Sequence, residues 1–98
     1  MYRHGDILVA CISAIPEGTR KLKHLVLAEG ELTGHMHRIA EPNAATLYST
    51  GEELFLHVEA DQATLVHDEH GPIELPRGHY RVWRQREYSS REIRVVQD

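Results

Sequence analysis

Glu53-Leu54-Phe55-Leu56-His57-Val58-Glu59-Ala60-Asp61-Gln62-Ala63-Thr64-Leu65-Val66-His67 is the stretch that decides the fold. Residues 53–59 and 63–67 are both β-favourable, and they flank a polar triplet that reads as a tight hairpin turn. Working outward, similar segments recur every few residues between turn signals: 7–12, 24–28, 35–40 and 46–49 before it, 73–75 and 79–86 after it. No window sustains a helical period. Pro72 and Pro76 bracket a three-residue segment, which suits an edge strand or a barrel rim. The expectation is an all-β single domain over residues 1–98, a small barrel or sandwich of seven to eight short, mainly antiparallel strands. Residues 89–98 are expected to form an extended tail or one helical turn.

Composition sets the bounds. The 98 residues suffice for one modest core, and 41% hydrophobic with 27% charged residues is ordinary for a globular chain. No apolar run approaches a membrane span, and Met1-Tyr2-Arg3-His4-Gly5-Asp6 carries no secretory pattern, so a cytoplasmic protein is expected. The single cysteine, Cys11, lies in an apolar run and reads as a small buried hydrophobe. Net charge is −4, yet six of the eleven Lys and Arg residues fall between Arg77 and Arg94.

Eight histidines are many for this length, and half of them sit in two short runs. Thr33-Gly34-His35-Met36-His37 places two imidazoles at i and i+2, which share one face of a strand. His67-Asp68-Glu69-His70-Gly71-Pro72 places two more where a strand ends in a turn. Three or four such nitrogens suit zinc, and with a carboxylate and open positions they suit iron, manganese or nickel. A divalent transition metal is therefore the expected cofactor, with His35, His37 and His70 as ligands. His67 and His70 are also the expected acid/base groups. His4, His24, His57 and His79 read as scattered.

Gly30-x4-His35-x-His37-x3-Glu41, followed by Gly71-x4-Pro76-Arg77-Gly78-His79, resembles the two motifs of the cupins. That resemblance implies a cupin-like β-barrel and adds Glu41 as a ligand beside the two histidines, with a later histidine completing the set. His79 is then a secondary ligand choice.

Around the last strand, Tyr80, Val82, Arg84 and Arg86 alternate with His79, Arg81, Trp83 and Gln85. Arg81, Trp83 and Arg84 could hold a small anionic ligand beside a stacking surface; alternatively Trp83 is core and the arginines form a solvated edge. The primary expectation is a divalent-metal-binding barrel, either a metal-dependent hydrolase or a small-anion-binding protein. The competing one is a non-catalytic module that binds protein or nucleic acid through residues 77–94. A homodimer and no membrane contact are expected in either case. No nucleophile elbow or phosphate-binding glycine loop is present in the sequence.

Overall fold

The computed structural model describes residues 1–30 and 34–85. It is all-β, with eight strands: β1 (Tyr2–His4), β2 (Ile7–Ile12), β3 (Arg20–Lys21), β4 (Val26–Glu29), β5 (Met36–Ile39), β6 (Ala45–Ser49), β7 (Leu54–Val66) and β8 (Ile73–Arg84). They form one curled antiparallel sheet in the order β1-β2-β8-β7-β5-β4, with β6 on β7 and β3 on β6. Arg86 and the 89–98 tail lie outside the described residues.

The expected hairpin at Ala60-Asp61-Gln62 is instead a bulge inside one thirteen-residue strand. The pairing of β7 with β8 slips between Val58 and Gln62, so the inward phase changes: Leu56 and Val58 face the core before the bulge, Ala63 and Leu65 after it. A strand has period two, and only an extra residue can keep its apolar face inward through such a bend. β8 switches phase in the same way, from Leu75 to Tyr80 and Val82. Gly78, with φ of 153°, supplies backbone that a side chain disfavours. The Tyr80 hydroxyl spans the bend by donating to the Pro76 carbonyl at 2.5 Å, and burial pushes the phenol pKa up to about 12. Pro76 is tolerated because β2 pairs only with positions 79–84 of β8, leaving the proline on an edge.

Each long strand therefore serves two layers. Ile7, Val9, Leu47, Leu56, Val58, Tyr80 and Val82 meet Leu27, Ile39, Ala63, Leu65 and Leu75 in one core. The fold-back is severe. His4 pairs with Ile7, and Ile7 with Arg84, while the β7–β8 tip lies eleven residues from Arg84, about 36 Å if the strand were straight. Yet the His4 and His70 ring centroids are 5.7 Å apart. The bend thus returns the hairpin tip to β1.

Cys11 is exposed rather than buried. It follows the inward parity of Ile7 and Val9, but β1 covers β2 only as far as Val9 and leaves the end of the strand open. No helix among the described residues is long and apolar enough to cross a membrane.

Candidate metal centre

The first hairpin starts the site. Tyr2-Arg3-His4 and Ile7-Leu8-Val9 pair across a two-residue turn, and Gly5 at its first position has φ of 64°. That is the glycine position of a tight hairpin whose twist matches its strands. The turn buries His4 on one side and presents Asp6 on the other. β5 then sends His37 and Ile39 inward, with Arg38 outward, as period two requires. Among the described residues, His4 and His37 are the two buried polar ones, 2% and 4% exposed.

These two imidazoles touch through their Nδ1 atoms at 2.9 Å, while His4 Nε2 lies 2.9 Å from the Gly71 carbonyl oxygen. A carbonyl only accepts, so His4 Nε2 carries the proton. Its Nδ1 is then a lone pair that accepts from the Nδ1–H of His37. Burial lowers the pKa of His4, with the Gly71 bond opposing and His70 and His67 adding to the fall. Burial also pushes the His37 pKa down to about 4, assisted by His67 and His4 and opposed by Asp6. Neutral His37 with its proton on Nδ1 has a bare lone pair on Nε2. That lone pair faces Asp6 Oδ1 at 3.5 Å, one acceptor against another. Arg84 Nε lies 3.1 Å from the other Asp6 oxygen as an ion pair without hydrogen-bond alignment, and Arg84 Nη2 donates to the Glu29 carbonyl at 2.9 Å.

The 67–70 turn closes over this pair. The His67 ring stands 4.3 Å from that of His37 and 5.6 Å from that of His35. His70 stacks parallel to His37 at 5.9 Å and lies 4.8 Å from His67. A Cβ placed on Gly5 would sit 2.6 Å from His70 Nε2 and 3.2 Å from His37 Cε1, so the missing side chain makes room for both rings. His67 Nδ1 accepts from the Glu69 amide at 3.0 Å, which leaves the His67 proton on Nε2. His35 lies at the rim, 3.6 Å from both Asp68 and Glu69 carboxylates. Among the described residues no three His, Cys, Asp or Glu side chains stand preset around a single point. Two donors are aligned, and the others surround them as rings.

His35, His37, His67 and His70 thus come together, but with His67 between the two members of the H-x-H pair. The structure does not bring in Glu41. Both of its oxygens are taken by Thr64, from the amide at 2.8 Å and the hydroxyl at 2.6 Å, and these bonds hold its pKa below the usual carboxylate value. It lies four residues past His37, roughly 13 Å along the chain. His79 is also elsewhere, stacked on His57 at 4.3 Å. Arg84 meets the cluster through Asp6, whereas Arg81 reaches Glu53 at 3.5 Å and covers Trp83 at 5.1 Å. Trp83 is half-buried rather than core, since Tyr80 and Val82 hold the inward positions. A cleft of about 430 Å³ runs between Leu27-Ala28 and Arg81–Arg84.

His4 and Asp6 were not singled out by sequence reasoning. Gly5-Asp6 between a short polar-apolar run and Ile7-Leu8-Val9 is a two-residue hairpin signal, and it would have placed both residues at one turn.

No curated protein and no solved structure matches the chain. Residues 3–85 match the model of a family described as Domain of unknown function (DUF8820), a span that covers both the His4–Asp6 turn and Arg84, and the chain belongs to that family.

Proposed function

We propose that this protein binds one divalent transition metal at the seam of its curled sheet, with His37 Nε2 and Asp6 as the first two ligands and His70 the third. The observation that carries this reading is the buried His37 Nε2, left without a proton by the hydrogen bonds of His4, 3.5 Å from the half-exposed Asp6 carboxylate. Two acceptors repel unless a cation lies between them. Ligands of a tetrahedral ion at about 2.1 Å stand about 3.4 Å apart, so the spacing already matches. His4 supports the site by accepting the His37 Nδ1–H, which fixes the tautomer and turns Nε2 outward. Arg84 supports Asp6 through its ion pair.

His67 joins last, since ligation through Nε2 requires the ring proton to sit on Nδ1 instead and the hydrogen bond from the Glu69 amide to Nδ1 to be given up. His35 with Asp68 and Glu69 then forms the rim. A set dominated by imidazole favours zinc or nickel over manganese. β1 is one end of the sheet order, β5 lies next to its other end and the 67–72 turn joins the central β7 and β8, so an ion here would link parts of the sheet that do not pair with one another. Such an ion binds only the folded chain and stabilises it by about 2.7 kcal/mol at a hundred times its Kd. Metal binding, rather than a particular reaction, is what these groups support.

The test is a calorimetric titration of untagged, chelator-treated protein with Zn²⁺. One equivalent should bind and raise Tm, and His37→Ala and Asp6→Asn should each remove or sharply weaken that binding while the β-sheet circular dichroism persists. Absence of a stoichiometric event in the unaltered chain would overturn the reading.

A further inference from the structure

β5 and β6 lie end to end along the same edge of β7, one on each side of its bulge, because β5 pairs at Leu65–Val66 and β6 at residues 54–58. β4 and β3 continue this split outward. The gap is a groove of about 490 Å³ between residues 21–26 on one wall and 38–40, 42 and 45–46 on the other. Its floor is apolar: Leu22 and Leu25 pack on the core beside buried Ile39 and Ala45. Its rim is cationic. Lys21 and Lys23 stand on one wall and Arg38 on the other, all exposed. His24 adds a donor, since its Nδ1 accepts from the Val26 amide at 3.1 Å and leaves the proton on Nε2.

Among the described residues no carboxylate lines this groove, and none pairs with Lys21, Lys23 or Arg38. Two acids next to groove residues are already engaged. Glu41 is held by Thr64, and Glu59 accepts from the outer Thr46 hydroxyl at 3.3 Å. In a chain with fifteen acidic and eleven Lys and Arg residues, three cations facing one gap without an acid is a local reversal of the chain's charge. Arg81, Arg84 and Arg77, by contrast, each meet a carboxylate.

We propose that this groove binds a small organic anion, a phosphate or carboxylate head joined to a short apolar body. The head would lie between Lys23 and Arg38, and the body along Leu22, Leu25 and Ile39. The volume is that of a single-ligand pocket, and an apolar floor with a few convergent polar groups is the usual composition of one. Cations on two facing walls suit a soluble ligand entering the gap better than a flat anionic surface. This inference is independent of the metal reading, since the two sites share no residue.

The test is titration with octyl phosphate below its micellar concentration, followed by ¹⁵N–¹H amide shifts, with inorganic phosphate and 1-octanol as separate arms. Octyl phosphate should shift amides within residues 21–26 and 38–46 and bind more tightly than either arm. Arg38→Ala and Lys23→Ala should each weaken it about three- to five-fold, as expected for exposed charge contacts, whereas Arg84→Ala should leave it unchanged. Shifts confined to other regions, equal binding by both charge-removed variants, or association only with anionic phosphatidylserine vesicles would each overturn the proposal.

Discussion

The seam cluster and the outer His57–His79 pair contain the same side chain in opposite circumstances. His57 and His79 lie directly across β7 and β8, stacked at 4.3 Å and 18°, with Glu59 3.7 Å from His57. Both are half-exposed. His4 and His37 are also in contact, but buried, and their protons are assigned by a carbonyl at one end of the chain of bonds. The difference teaches that proximity of imidazoles does not make a site. Desolvation, a locked tautomer and a facing carboxylate are what set the seam cluster apart.

The sharpest way to break the comparison is at His37. His37→Ala should lower zinc affinity by more than about 100-fold, and Asp6→Asn by about 10–100-fold, as read by calorimetry. The first removes a donor outright, while the second keeps its shape and loses its charge.

Acid should separate the two regions next. The folded pKa of His37, about 4, lies below its unfolded value of 6.5, so the unfolded chain binds the extra proton. Metal-free protein should therefore hold its full His37 contribution above pH 6.5 and lose it progressively down to about pH 4, on the order of 3 kcal/mol in all. Lowered His4 adds in the same direction. Denaturant midpoints across that range measure the loss, and His37→Ala should flatten the dependence.

Gly5→Ala comes third, at about 1–3 kcal/mol. It forces a side chain into φ of 64° and against His70, and a thermal melt reads the cost. The smallest effect belongs to the outer pair. The double change His57→Ala with His79→Ala should leave zinc binding intact and move stability by no more than about 0.5–1 kcal/mol.

Much of the architecture was legible in residue patterns, for definite reasons. The segments 7–12 and 35–40 lie between clear turn signals, and the alternation of the second puts His37 on one face with Ile39, the face the structure buries. The count of eight strands agrees, but its composition differs. Ala60-Asp61-Gln62 and Pro76-Arg77-Gly78 resemble turns because bulges use the same polar and glycine residues, so two long bent strands read as four short ones. β1 and β3, of three and two residues, are too short to carry a pattern. The two histidine runs, far apart in sequence, meet in the structure, where the His67 ring lies 5.6 Å from that of His35 and 4.3 Å from that of His37. His4 and Asp6 stayed hidden because only the fold-back of β7 and β8 brings the chain's start to its hairpin tip. Glu41 shows the reverse case: its spacing fits a motif, while local hydrogen bonds to Thr64 engage it elsewhere.

The central claim is that His37 offers an unprotonated Nε2 to a metal beside Asp6, and imidazole ¹⁵N–¹H long-range spectra at pH 7, before and after one equivalent of Zn²⁺, test it most directly. The account expects a neutral His37 protonated on Nδ1, whose Nε2 resonance moves to a metal-bound position together with a ring nitrogen of His70, while His57 and His79 stay fixed. An His37 imidazolium in the metal-free protein, or an Nε2 signal indifferent to zinc, would contradict it.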